Sequence, residues 1–407
     1  MNQSFDPVAR KIDGYEKEMQ LTLARMIAEK AISPESGGDG EKKRADWLEK
    51  ILRRWGFSAS RYDYKDKHNA VRSNLIFRQG AGTAKKTVWI VTHIDTVPEG
   101  DLSLWSTDPF RGVIKGGRVY GRGTNDNGQE VIASIYAARA LKEAGLKQRY
   151  SLGIALTADE ELGSDYGVKK LLNEGIFKKG DVVLAPDFGN QKGSEIEVSE
   201  KSRLWLKVTV KGKQVHASTP QMGKNAYRYM IKYLAEFDRY MHNKYAAKDP
   251  MFKTPSTFEM TKHEKNVDSV NIIPGIEVSY IDCRVLPRYT LDRVLADANR
   301  LAAKLGTNGV SISIDVFLRE DVRRPTSKNA KAVSALQEAV KALRGITPKA
   351  IGIGGGTVAS LFREKGFDAA VWSTQYDMAH EPNEYAISRF MVEDAKVFAY
   401  MCLSTRS

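Results

Sequence analysis

Three short apolar runs in this chain end in side chains able to bind a metal ion or move a proton. Val88-Trp89-Ile90-Val91 leads into Thr92-His93-Ile94-Asp95, Leu152 to Leu156 leads into Thr157-Ala158-Asp159-Glu160-Glu161, and Val182-Val183-Leu184 leads into Ala185-Pro186-Asp187. Two further groups join them. Gly121-Arg122-Gly123-Thr124-Asn125-Asp126 stands directly before a helical pattern, and Asp377-Met378-Ala379-His380-Glu381 follows a late strand-like run. In open α/β sheets, ligands bind beyond the carboxyl ends of the strands, so these polar tips are expected to converge. Two histidines among several carboxylates form a nitrogen and oxygen donor set suited to zinc or another divalent first-row metal, and no sulfur donor competes. Carboxylates gathered so closely repel one another, and a dinuclear metal centre relieves that repulsion. Singly, each group also has a structural reading: Glu160-Glu161 as a solvated charge pair, an Asp after a strand as a turn or helix cap.

The elements that must position these residues are legible in the apolar pattern. Ile12, Tyr15, Met19, Leu23, Met26 and Ile27 have helical spacing, and a second helical pattern runs through Trp47, Leu48, Ile51, Leu52 and Trp55 to Gly56. Near-continuous apolar runs then alternate with helical patterns, including one over about 127–144, as expected for an α/β sheet covered on both faces. From about Leu204 the pattern changes to strict alternation, as in Leu206-Lys207-Val208-Thr209-Val210 and Ile312-Ser313-Ile314-Asp315-Val316, with helices expected at about 226–241 and 291–305. Alternation of period two predicts an antiparallel sheet wet on one face. The last stretch resumes the first character, with a helix at about 329–343 and a final one ending near Met401. The expected architecture is an α/β domain of residues 1–202 and 320–407, interrupted by an α+β domain of residues 203–319.

Composition narrows the class. The chain has 407 residues, enough for two domains, and its only cysteines are Cys283 and Cys402, which excludes a disulfide scaffold and a cysteine zinc site. Sixty-three Lys and Arg against fifty Asp and Glu leave a net charge of +13. The basic residues are spread over both domains without a stripe interleaved with aromatics, so nucleic acid is not expected as a partner. No apolar run has the length of a membrane helix, and the first twenty residues lack a basic flank followed by an apolar stretch. A soluble, cytoplasmic protein is expected.

The motifs occur in a recognisable order: His93-Ile94-Asp95-Thr96-Val97-Pro98, Trp105 with Asp108-Pro109-Phe110, Gly117 with Tyr120-Gly121-Arg122-Gly123 and Asp126, then Glu160-Glu161, Asp187 and His380. This series, over residues 74–385, resembles the cocatalytic zinc exopeptidase and deacylase family, which includes aminoacylase, dipeptidases, carboxypeptidases, acetylornithine deacetylase and succinyl-diaminopimelate desuccinylase. The resemblance implies a zinc-peptidase-like α/β catalytic domain with a mixed sheet and an inserted lid domain through which the chain forms a homodimer. It implies two zinc ions per subunit, with Co2+ or Mn2+ able to substitute. Asp126 would bridge them, His93 and Asp187 would complete one, and Glu161 and His380 the other. Asp95 would hold the His93 ring, and Glu160 would be the general base. A cis peptide bond is implied at Asp126-Asn127.

In the inserted domain, Val210 to Ser218 resembles the family's lid motif, in which His216 would polarise the scissile carbonyl. Asn271-Ile272-Ile273-Pro274 and Asp282-Cys283-Arg284 resemble two further lid motifs, where Asn271 and Arg284 would hold the substrate's carboxylate end. An ion pair with Asp282 or a neighbouring strand is the other reading of Arg284. Gly355-Gly356-Thr357 lies in a glycine-rich loop that, by the resemblance, lets backbone N–H groups approach that carboxylate. It has neither a following G-K-[ST] nor the context of a nucleotide fingerprint. His68, His242 and His263 match no motif and are expected at the surface.

The chain departs from the family at Asn127-Gly128-Gln129, where Asp or Met, then Lys and Gly, usually follow the bridging Asp. Asp at position 187, where many of the deacylases carry Glu, tilts the expected substrate toward a peptide. The chain thus reads as a di-zinc amidohydrolase acting on dipeptides, short peptides or N-acyl amino acids. A succinyl or acetyl amino acid deacylase, such as succinyl-diaminopimelate desuccinylase, is the alternative. A non-catalytic metal binder or nucleic-acid binder is the remote one.

Overall fold

Where both faces of a strand must be covered, side chains alternating to either side all have to be apolar or paired. Every residue of Thr87–His93 and of Ser151–Thr157 is buried, and these strands sit side by side in parallel. The computed structural model describes residues 5–80, 86–307, 309–322 and 324–403. The chain divides into two units, one of Met1–Val198, Thr326–Ile351 and Thr357–Ser407, the other of Ser199–Pro325 with Gly352–Gly356.

The first unit is built on a mixed eight-stranded sheet in the order Ser60–Lys65, Val71–Gln79, Ser151–Thr157, Thr87–His93, Val182–Gly189, Ala369–Ser373, Glu195–Glu200, Lys349–Ile353. The central strands are parallel, and Val71–Gln79 and Ser60–Lys65 run antiparallel on one side. One face is covered by Val168, Leu171, Phe177, Ala359 and Phe362, packed against Trp89, Val91, Ala155, Val183 and Val371. Among the helices over this sheet, Gln129–Ala144 is almost wholly buried. The N-terminal helical pattern is two helices, Asp6–Gly14 and Glu16–Ala28, divided at Tyr15. Gly14 is a poor helix former, and the Tyr15 hydroxyl is held 2.6 Å from Glu143.

The second unit has a four-stranded antiparallel sheet in the order Thr257–His263, Ile276–Val285, Ser202–Lys211, Ser311–Glu320. Burial along Ser202–Lys211 alternates residue by residue. Leu204, Leu206, Val208 and Val210 face the helices Ala226–Lys244 and Leu291–Leu305 through Met230, Phe237, Val294 and Leu301. Both helices begin at side-chain caps, where Asn225 accepts from the Arg228 N–H and Thr290 from the Arg293 N–H. Such caps satisfy backbone donors that the first turn leaves free.

Candidate active site

Parallel strands deliver their carboxyl ends to one edge, and there the apolar runs give way to polar tips. His93 is the last residue of Thr87–His93, and Asp95 follows two positions on. Glu160 and Glu161 open a short turn after Ser151–Thr157, and Asp187 lies in Val182–Gly189. Asp126 sits in the turn Thr124–Gly128, where its backbone leaves helical geometry and the Asp126–Asn127 peptide bond is cis. His380 comes from the loop after Ala369–Ser373 and has φ of 66°.

Asp126 stands between the two histidines. Its Oδ1 lies 2.8 Å from His93 Nε2 and its Oδ2 3.3 Å from His380 Nε2. His93 Nε2 is also 3.5 Å from Asp187 Oδ1, and His380 Nε2 is 3.0 Å from Glu161 Oε2. Ligand atoms of His93, Asp126 and Glu161 lie within 4.8 Å of one another, as do those of His93, Glu160 and Asp187. Asp95 acts on three of these residues at once. Its carboxylate lies 3.5 Å from His93 Nδ1, and it accepts the backbone N–H of Glu160 at 3.1 Å and of Glu161 at 3.0 Å. With Nδ1 turned to the Asp95 backbone oxygen at 3.2 Å, Nε2 is the nitrogen that faces Asp126 and would ligate a metal, the arrangement by which an outer acceptor fixes the tautomer of a ligating histidine.

The electrostatics describe an anionic cluster in search of a cation. Burial, then the charge of Asp187, pushes the Glu160 carboxyl well above the usual carboxylate range. Burial and the charge of Asp126 push Glu161 up to about 7. Burial opposes ionisation of Asp126, but hydrogen bonds from His380 and His93 hold its carboxyl well below the usual range. Those same contacts with Asp126 and Glu161 raise His380 to about 10. For His93, burial lowers proton affinity, yet bonds to Asp126, Asp187 and Asp95 lift it well above the ordinary imidazole value. Two imidazoles and four carboxylates at these distances fit divalent metal ions, with the two oxygens of Asp126 facing opposite ligand pairs.

Several residues that hold this cluster carry no chemical motif. The Asn127 amide donates to Pro186 O at 2.8 Å and to Asp187 Oδ1 at 2.9 Å, so the departure from the family's usual pattern orients a candidate ligand. Glu384, 1% exposed, accepts the backbone N–H groups of Gly123, Asn125 and Asp126. Arg72, fully buried, grips Glu41 through two nitrogens and reaches Asp159, the residue before the Glu160-Glu161 pair. Arg44 donates to Ile94 O at 2.9 Å, between His93 and Asp95.

The other site residues belong to the second unit or to the loop bridging the units' sequences. His216 is exposed, and its Nδ1 accepts the Ser218 backbone N–H at 3.1 Å. That bond leaves the proton of the neutral ring on Nε2, where it can donate to a carbonyl. His216 pairs with Ile272, so Asn271 is beside it, and Asn271 O accepts the Ala217 N–H. Arg284 forms a forked pair with Asp282 at 2.7 and 3.0 Å and donates to Gly354 O at 3.1 Å. Gly355 is exposed and Gly356 half-buried, while a Cβ on Gly356 would lie 3.2 Å from the Arg203 guanidinium. Thr357 is buried and accepts the Ala359 N–H. Among the other histidines, His68 is exposed, His242 pairs with Asp238 at 3.0 Å and His263 with buried Glu277 at 2.9 Å.

Known proteins resemble this chain over nearly its whole length. The model described as peptidase family M20/M25/M40 matches residues 89–404. An uncharacterised metallohydrolase of Methanocaldococcus jannaschii is 36% identical over 393 residues, covering 92% of this chain and 96% of its own. A succinyl-diaminopimelate desuccinylase of Pelagibacter ubique is 26% identical over 350 residues, covering 85% and 88%. The structure of a dipeptidase from Saccharomyces cerevisiae superposes with a TM-score of 0.76 at 17% identity, covering 98% of each chain.

Proposed function

The chain belongs to peptidase family M20/M25/M40, and from that premise we propose that it is a two-metal hydrolase cleaving the amide bond of a dipeptide or short peptide. The observation that carries this reading is Asp126 set between His93 and His380, one carboxylate oxygen toward each. His93 and Asp187 would hold one zinc ion, Glu161 and His380 the other, with Asp126 shared and Co2+ or Mn2+ as substitutes. Two such ions, when bound, lower the pKa of water and polarise the substrate carbonyl.

The chain's own groups do the rest. Glu160 lies beside His93 and Asp187 and is left outside the ligand set, so its carboxylate takes the proton of the attacking water and returns it to the leaving amine. Asp95 keeps Glu160 and Glu161 in place through their backbone N–H groups and keeps His93 in the metal-binding tautomer. His216 donates from Nε2 to the carbonyl oxygen, and Asn271, Arg284 and the backbone of Gly355, Gly356 and Thr357 receive the substrate's carboxylate. Arg284 already forks onto Asp282 through Nε and Nη2, so in that role its Nη1 would be the nitrogen that faces the carboxylate.

The second reading, removal of a succinyl or acetyl group from an amino acid, is favoured by the likeness to a desuccinylase over most of the chain. Amine release from a panel of dipeptides, succinyl amino acids and acetyl amino acids separates the two. The peptidase reading expects turnover of dipeptides, and turnover confined to acyl amino acids would replace it with the deacylase one. We further infer a homodimer formed through the second unit, testable by light scattering. Among the described residues no helix is long and apolar enough to cross a membrane. A cytoplasmic location fits the two free, buried cysteines.

A further inference from the structure

A metal centre whose ligands come from separate loops depends on what fixes the spacing between those loops. His93, Glu161 and Asp187 lie in or directly after strands of one sheet, whose hydrogen bonds set their separation. His380 does not. Its side chain is 54% exposed, and it stands on a loop. Two buried, oppositely charged residues, Arg122 and Glu384, 2% and 1% exposed, make contacts to its loop and to the turn of Asp126.

Arg122 has five N–H groups, and each finds an acceptor. Nε reaches Pro98 O at 3.2 Å, Nη1 reaches Glu384 Oε2 at 2.8 Å and Glu381 O at 3.2 Å, and Nη2 reaches His380 O at 3.2 Å and Glu99 O at 3.5 Å. The guanidinium thus holds the carbonyl of the metal-ligand candidate His380 itself and that of the next residue. Its plane lies over Trp105, 5.1 Å from the ring centre. Glu384 works from the opposite direction. Oε2 accepts the Gly123 N–H at 2.9 Å, and Oε1 accepts the N–H groups of Asn125 at 2.7 Å and Asp126 at 3.0 Å. One carboxylate thereby fastens the turn bearing Asp126 to the segment that follows His380. Asn383 completes the strap, accepting from the Ser106 N–H at 2.7 Å and donating to Leu104 O at 2.8 Å.

We propose that Arg122 and Glu384 are a positioning pair that sets the distance between Asp126 and His380, and so governs retention of the metal ion held by His380 and Glu161 more strongly than that of the ion held by His93 and Asp187. This rests on the two-metal reading above. Neither residue touches the metal candidates' ligand atoms, so their effect is transmitted through backbone position. Lys in place of Arg122 would supply a point charge on three donors and could not span five acceptors in one plane.

The test measures zinc per protomer after dialysis against a chelator of graded strength, together with the thermal transition of the metal-free protein. Wild type is expected to keep two ions. Glu384→Gln, isosteric but unable to accept at both ends, is expected to bind one ion about 10- to 100-fold more weakly, the usual cost of losing an outer partner of a ligand, and the other with a clearly smaller loss. Should Glu384→Gln fail to fold, Arg122→Lys carries the same expectation. Two ions retained at wild-type affinity in a folded variant would overturn the proposal. Equal weakening of both ions would also overturn it, because that is the signature of general loosening. Wild-type protein that retains no zinc would refute the two-metal reading instead, and the positioning role with it.

Discussion

The two units hold their functional side chains in opposite ways. In the first, His93, Asp95 and their neighbours stand at the ends of strands buried on both faces, and each polar group has partners on two sides. In the second, His216 and Arg284 lie on exposed or half-exposed surface and are held by neighbours two residues away, Ser218 and Asp282. A buried charge must be paired or neutralised because desolvation is costly, whereas an exposed one needs only local orientation. The difference teaches that damage in the first unit spreads through shared partners, while damage in the second stays local.

The sharpest way to break the comparison is at Glu160. Replacing it with Ala is expected to lower kcat by about 10²- to 10⁴-fold while both zinc ions stay bound. Near-normal turnover with full zinc would remove Glu160 from its role. His216→Ala is expected to lower kcat by about 10²- to 10³-fold, as for loss of one donor to a developing oxyanion. Zinc content and thermal transition should be unchanged, since its contacts are local. A loss of zinc in this variant would show that the second unit's residues are coupled to the metals and would collapse the contrast.

The third probe lies between these extremes. Asn127→Ala removes the amide that orients Asp187 and is expected to weaken one zinc ion by about 10- to 100-fold, read by chelator competition. The smallest effect is a pH slope in stability. Glu130 is buried beside Asp394, and burial followed by that charge lifts its carboxyl well above the usual range. The native protein therefore keeps a proton that the unfolded chain releases above about pH 4.3. Stability from this group is full below that value and is lost as pH rises toward the elevated native pKa, at about 1.4 kcal/mol per pH unit. Glu130→Gln is expected to flatten this decline in urea titrations across pH 5–8, and a retained slope would assign it elsewhere.

Much of the first unit's site was legible because its chemistry sits at element ends. An apolar run followed at once by His-x-Asp or Glu-Glu announces both the strand and its polar tip. The two helices of the second unit were legible from spacing alone, and Leu291–Leu305 has the expected bounds. The hidden part consists of residues whose importance comes from long-range pairing. Arg72 reaches Glu41 and Asp159, and Glu384 reaches back some 260 positions to the turn at Gly123. No periodicity records such contacts. The short strands Val113–Lys115, Arg118–Tyr120 and Tyr385–Ile387 escaped for a related reason, being only three residues long, too brief for an alternating pattern to register. Asn127 was visible as a departure, but only the fold reveals that its amide faces Asp187.

The most direct test of the central claim is amine release from dipeptide by protein stripped with chelator and titrated with zinc. The account predicts no turnover in the stripped protein and activity that reaches its plateau at two equivalents of zinc per protomer. Turnover that survives stripping, or that is complete at one equivalent, would contradict a centre in which Asp126 is shared between two ions.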